Sequence, residues 1–230
     1  MVTGSIVRVA LAVCVAAGLA ACGDDAPQPA PTGPPISVTT MRGALLQAAE
    51  IGSSWSAPSA STPPNPLVSL CGGQTPAPAV PPGATVLTAP LVDEGTKGAQ
   101  TLHQVALVYA DAAAATAGLA ALRAVADGCP ATVSVPQRVT EGRQEPAFTE
   151  TAATSPLSEG EWTGFVVIRH KVYDPKHPAT SDTAVAVLAK RNVLLVEAYA
   201  IHRLGVVTST GPQFTADWQK LVGTVVNRVD

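Results

Sequence analysis

The stretch TAVAVLAKRNVLLVEAYAIH, residues 183–202, sets two aliphatic runs on either side of the polar pair Arg191-Asn192. Runs of this length and composition, 183–190 and 193–202, read as β-strands, and a two-residue link between them reads as a tight antiparallel hairpin. Asn-Gly would be a stronger turn signal than Arg-Asn. Working outward, further apolar, β-branched runs occupy residues 131–139 and 162–173, and two more strands are expected at 84–90 and 100–109.

The clearest helix is DAAAATAGLAALRAVADG, residues 111–128. Asp111 suits the N-cap, Ala115, Leu119, Leu122 and Ala126 share one face, and Gly128 fits the C′ position. A second long helix is expected in GPQFTADWQKLVGTVVNRV, residues 211–229, where Phe214, Trp218, Leu221, Val225 and Val229 fall near helical spacing although Gly223 weakens it. A short helix opens the folded part in TTMRGALLQAAEIGSSW, residues 39–55, with Thr39 or Thr40 as N-cap and Gly52 as terminator. Residues 56–83 hold too many prolines for regular structure and read as a long exposed loop pinned by Cys71. Strands joined mainly by hairpins, with two long helices, give an α+β fold: an antiparallel β-sheet with two longer helices packed on one face, and one disulfide.

Residues 1–21 read as a signal peptide, with Arg8 before the uncharged run VALAVCVAAGLA, which is too short for a membrane span of about 20 residues. LAAC, residues 19–22, resembles the bacterial lipobox, whose cysteine takes a diacylglyceryl group and becomes the new N-terminus. Residues 22–36 are then an acylated Cys22 and a Pro-rich flexible tether, and residues 37–230 a single domain. Two acyl chains at about 0.8 kcal/mol per buried methylene suffice for stable attachment. The expected location is the cell membrane, lipid-anchored and facing the extracytoplasmic side.

Of the four cysteines, Cys14 leaves with the signal and Cys22 carries lipid, so Cys71 and Cys129 remain. An even pair in an oxidising compartment most simply forms one disulfide, whose closure stabilises the fold by about 4 kcal/mol in the chain-entropy model. A metal pair or redox couple is the alternative, but no CxxC motif is present and neither cysteine has a histidine nearby in sequence.

A net charge of −3 argues against a nucleic-acid partner. The histidines are His103, His170, His177 and His202. Only His170, Asp174 and His177 cluster locally, and Pro175 and Pro178 make that segment read as a turn rather than a metal site. GxSxG, SxxK and HExxH are absent, as is a Gly-rich phosphate loop after a strand. Glu159 and Glu161 flank a turn glycine, which reads as a solvated loop more readily than as a glycosidase pair. No enzymatic activity, cofactor or metal is therefore expected. Binding is carried by few aromatics: Trp218 reads as core, whereas Trp55, Trp162, Tyr173 and Tyr199 can line a cleft or cap the core. Arg169, Lys171 and Arg203 can give that cleft a polar rim or face solvent by strand alternation.

The order ALLQAAEIGSSW, a Pro-rich loop with Cys71, VALVYAD, an Ala-rich helix ending ADGCP, a β-hairpin and a C-terminal helix resembles the PknH-like extracellular sensor domains. These occur in actinobacterial envelopes on receptor kinases and as free lipoproteins. The resemblance covers residues 37–230 and is sharpest over 109–130. It implies an α+β domain secured by disulfides that binds something in a cleft of an antiparallel sheet. The kinase ectodomain is expected to have two disulfides, whereas this chain supplies only Cys71 with Cys129. It also carries no kinase domain, so signalling would pass through a partner. The expectation is a sensor-like lipoprotein binding a small molecule, an envelope lipid or glycan, or a protein; the alternative is a carrier of envelope lipids. For the anchor, Cys22→Ala is expected to move the protein from the membrane to the soluble fraction and globomycin to block its maturation; unchanged membrane fractionation contradicts lipidation at Cys22.

Overall fold

In the computed structural model, residues 33–59, 65–95, 98–140, 143–205 and 211–229 are described; Cys22, the signal segment and nearly all of the tether lie outside them. The 183–202 hairpin stands in the middle of a sheet. Its strands are β8 (Ala179–Lys190) and β9 (Val193–Leu204), joined by Arg191, whose φ of 50° is left-handed, and Asn192. Outside β9 lie β2 (Gly98–Val108) and β1 (Thr85–Gly95); outside β8 lie β7 (Trp162–Tyr173), β6 (Phe148–Glu159) and β3 (Thr132–Val135). Every neighbouring pair is antiparallel. A separate ribbon pairs β4 (Arg138–Thr140) with β5 (Arg143–Glu145). The edges are blunted by Pro90 in β1 and Pro156 in β6, neither of which offers a backbone N–H to another strand.

The helices are α1 (Val38–Ala44), α2 (Ala48–Ile51), α3 (Ala112–Asp127) and α4 (Gly211–Val226). The two long ones cover opposite faces of the sheet, which corrects the expectation that they share one. Ala184, Ala186 and Leu188 of β8 pack with Met41 and Leu45 of the N-terminal segment and with Phe214, Trp218 and Val222 of α4. The alternate residues Val185 and Val187 pack with Leu122 and Ala126 of α3 and with Leu67 and Leu70 of the 65–83 segment. Strands buried on both sides need apolar residues at every position, and this is why β8 and β9 read as continuous apolar runs. Leu188, Leu194 and Leu195 are at most 1 % exposed, each worth about 2 kcal/mol of burial.

Two buried amides fix the layers to this centre. The Asn192 side chain accepts from Ile36 N (2.7 Å) and donates to Ile36 O and Tyr109 O. Gln104 accepts from Leu46 N (2.8 Å) and donates to Leu46 O and Ala89 O. By taking both backbone groups of Leu46, Gln104 interrupts the helix expected to start at Thr39 or Thr40 and run to Gly52. Its first part, α1, is capped by Ser37, which accepts from Thr40 N, and its second part is the single turn α2.

Other boundaries also shift. Gly128 ends α3 in right-handed conformation (φ −82°), so any residue could hold that backbone, while Asp111 caps the other end as expected. Residues 65–83 lack helix and strand, but Leu67, Leu70 and Cys71 are buried beneath them, so this part of the loop is a cover rather than an exposed excursion. Cys71 and Cys129 are joined, tying that cover to the end of α3. Strand β6 had no counterpart in the apolar runs because its sequence, FTETAATSPLSE, buries only scattered positions.

Two predictions follow from this packing. A Cβ at Gly118 of α3 would sit 2.6 Å from the Tyr109 hydroxyl, which is buried without a partner among the described residues. Gly118→Ala is therefore expected to destabilise by about 1–3 kcal/mol despite alanine's better helix propensity, and Tyr109→Phe is expected to recover most of that loss in denaturant titrations. Glu197 of β9 is fully buried and neither oxygen has a partner among the described residues, the Gln104 amide opposite it being already committed to Leu46 and Ala89. Burial pushes its carboxyl up from 4.5 to about 8. A raised folded-state value gives stability that is complete below the unfolded value and lost as pH rises through the folded one. Relative to Glu197→Gln, the wild type is expected to lose stability by up to about 1.4 kcal/mol per pH unit between about pH 5 and about pH 8; a parallel pH profile contradicts a buried neutral acid.

Candidate functional site

The covering layers stop before the strands do. Along β7 the residues facing α3 are Phe165 and Val167, and the same face continues as Arg169, Lys171 and Tyr173. On β9 that face runs from Val196 and Ala198 to His202 and Leu204, and on β6 it presents Glu150, which lies opposite Lys171. The second half of β7, the start of β6 beside it and His202 near the end of β9 therefore put charged and aromatic side chains on this face at one end of the sheet.

Glu150 is the fixed point of this end. It is 4 % exposed, accepts from Gly73 N at 2.6 Å, and stands 3.6 Å from Arg169 and 3.7 Å from Lys171. Gly72, the residue after the disulfide cysteine Cys71, has a φ of +72° and lies against this group; a Cβ there would meet Glu150 Oε1 at 2.5 Å and Arg169 at 2.7 Å. The glycine thus satisfies both the backbone conformation and the close approach. Two cations face one carboxylate. Burial lowers the Arg169 pKa, against the pull of Glu150, and its Nε is buried without a partner among the described residues. Burial, then Lys171 and Arg169, lowers that of His202 and favours its neutral ring.

Above these charges lies an aromatic pair, Phe148 and Tyr173, with ring centroids 5.6 Å apart and the Lys171 ammonium 4.2 Å from the Phe148 centroid. Tyr173 lines three adjoining concavities. One of about 390 Å³ runs along His177, Thr180, His202 and Arg203; a second of about 390 Å³ includes Gly73, Gln74, Gln144 and Lys171; a third of about 580 Å³ opens over Val135, Phe148 and Pro175. Arg138 borders the second, but its charge is offset by Glu145 at 2.6 Å.

The cleft residues expected from sequence divide. Tyr173 and Lys171 line this groove, Arg169 lies beneath it beside Glu150 and lines none of the three concavities, and Arg203 reaches the rim from the opposite face, where it donates to Asp182 at 2.5 Å. Asp182 also holds His170 Nδ1 at 2.6 Å. Trp162 is 0 % exposed and forms core, not cleft. Trp55 and Tyr199 line a different cavity of about 250 Å³ beside α2 and α4, where the Tyr199 hydroxyl donates to Gln100 at 2.6 Å; burial, above all, raises the tyrosine pKa. Asp174 closes the expected turn by accepting from Lys176 N, and His177 points its backbone N–H at Asp174 O. Among the described residues no three His, Cys, Asp or Glu side chains gather as metal ligands. Cys22 lies outside the described residues.

Glu150, Phe148 and the Gly72–Gly73 approach were not singled out in the sequence. The legible signal was the alternation IRHKVY, which puts Arg169, Lys171 and Tyr173 on one face; the partners come from a strand and a loop that carry no pattern of their own.

Among the described residues no helix is long and apolar enough to cross a membrane. No protein-family model matches the sequence, and no curated protein matches it. Among solved structures, the chain is similar to the crystal structure of the extracellular domain of PknH from Mycobacterium tuberculosis, at 14% identity and a TM-score of 0.48, covering 85% of this chain and 97% of that one.

Proposed function

We propose that the protein is a membrane-anchored envelope lipoprotein whose extracytoplasmic domain binds a ligand, without transforming it, in the groove lined by Tyr173. The observation that carries this reading is the convergence of three concavities on one tyrosine above paired cations. Sites of this kind combine an aromatic wall with a few placed polar groups in a few hundred Å³. The Cys71–Cys129 bridge fits an oxidising compartment, and it holds the Gly72–Gly73 wall of the groove against Glu150. A lipid on Cys22 followed by the 22–36 tether would keep the groove near the membrane surface, where an envelope component or a partner's ligand is at hand.

The test is native mass spectrometry of the full chain after incubation with a bacterial envelope extract. An added mass that disappears on denaturation is expected for the wild type and for Trp55→Ala, and is expected to be lost in Tyr173→Ala with unchanged circular dichroism. An added mass that survives Tyr173→Ala and is lost in Trp55→Ala, or no added mass in the wild type, contradicts the assignment.

A further inference from the structure

The charges in the groove are unbalanced in a way that selects a ligand. Glu150 cannot neutralise both Arg169 and Lys171, and it cannot move towards either, because the Gly73 N–H and the backbone of Gly72 hold it from one side. Lys171 stands 3.7 Å from the carboxylate, beyond hydrogen-bond length, and rests on the Phe148 ring instead. Arg169 has a buried Nε with no acceptor among the described residues. One unit of positive charge is therefore left over in a partly desolvated site, with the Lys171 ammonium facing the groove, where a charge-assisted bond to an anion is stronger than in water.

His202 faces the same charges. Towards it stand Lys171 and Arg169 from β7, His177 from the turn that follows, and Arg203 from its own strand, held by Asp182 on the other face; in its register row Glu150 of β6 lies beyond Lys171, and Glu94 of β1 lies beyond Ala99 on the other side. Its neighbours in register on β2 and β8 are Ala99 and Ser181, which carry no charge. Among the described residues the imidazole makes no hydrogen bond. Burial first, and then the charges of Lys171 and Arg169, disfavour the protonated ring, and an arriving anion would offset the second of these. Tyr173 offers a ring face beside these groups, and Gln74 and Gln144 offer amide partners along the walls.

We propose that the groove takes a sugar-sized ring bearing one anionic group, phosphate or carboxylate, with the anion against Lys171, above the buried charge of Arg169, and the ring against Tyr173, and that His202 takes up a proton from solvent as it binds. The inference rests on the groove being the binding site. Binding is then stronger in acid. Uptake of one proton gives up to tenfold in affinity per pH unit, so a rise of about tenfold is expected between about pH 7.5 and about pH 5.5.

Isothermal titration of the full chain with glucuronate, glucose 6-phosphate and glucose tests this. At least one charged sugar is expected to bind at millimolar concentration and glucose is not; which charged sugar binds identifies carboxylate or phosphate as the source of the anion. The charge of glucuronate is constant over that pH range, so the pH ratio is read with it if it binds; otherwise, it is read with glucose 6-phosphate after correcting for the ester's own titration. Lys171→Gln is expected to weaken the charged sugar at least tenfold, and His202→Asn to bring the pH ratio to about one. The proposal is overturned if neither charged sugar binds, if glucose binds as well as they do, or if the pH ratio is absent in the wild type or persists in His202→Asn. Binding of glucose that is lost in Tyr173→Ala would keep the groove and remove only the anion; indifference of all binding to Tyr173→Ala would remove the groove.

Discussion

Burial of the β8–β9 hairpin on both faces is the constraint from which the rest of the structure follows. A strand covered on one side alternates; these two do not, because α3 and the 65–83 segment cover one face while α1 and α4 cover the other. Neither layer is held by apolar contact alone. Asn192 at the hairpin turn and Gln104 on the adjoining strand reach out of the sheet to take backbone groups of Ile36, Tyr109 and Leu46, so the N-terminal segment is placed in register with the core. A buried amide that makes all its bonds in one arrangement specifies that arrangement, since any other leaves it unsatisfied.

The groove exists because the strands outrun their covers. Up to Val167 on β7 and Ala198 on β9, side chains meet α3 and its neighbours; beyond them the strands still pair, so the backbone is rigid, but α3 no longer covers the face and Gly72–Gly73 close over Glu150 and Arg169 while leaving Tyr173 at the groove. Charged and aromatic groups placed there are oriented by strand geometry rather than by a loop. The disulfide acts on the same place from the other side, because the residues directly after Cys71 press on Glu150 and Arg169.

Much of this was legible in the sequence. The hairpin, α3 with its Asp111 cap, α4, the strand at residues 162–173 and the Cys71–Cys129 pair carry local signals: long apolar runs, helical spacing and cysteine parity. The placement of α3 and α4 was misread because a helix's own periodicity says which face it buries but not against which side of the sheet. The unbroken apolar runs of β8 and β9 held that answer. The break at Leu46 was not readable either, since it comes from Gln104, far away in the chain. In the site, Lys171 and Tyr173, with Arg169 beneath them, were visible through alternation, whereas Trp162, which forms core, stayed open between core and cleft because a tryptophan beside a turn looks the same from sequence in either place.

The central claim, that the uncovered strand ends form the ligand site, is tested most directly by hydrogen–deuterium exchange of the full chain with and without envelope extract. The account predicts slowed exchange confined to the segment following Cys71, the start of β6 and the turn between β7 and β8, with α2 and α4 unchanged. Protection confined to α2 and α4, beside Trp55 and Tyr199, or no protection at all, would contradict it.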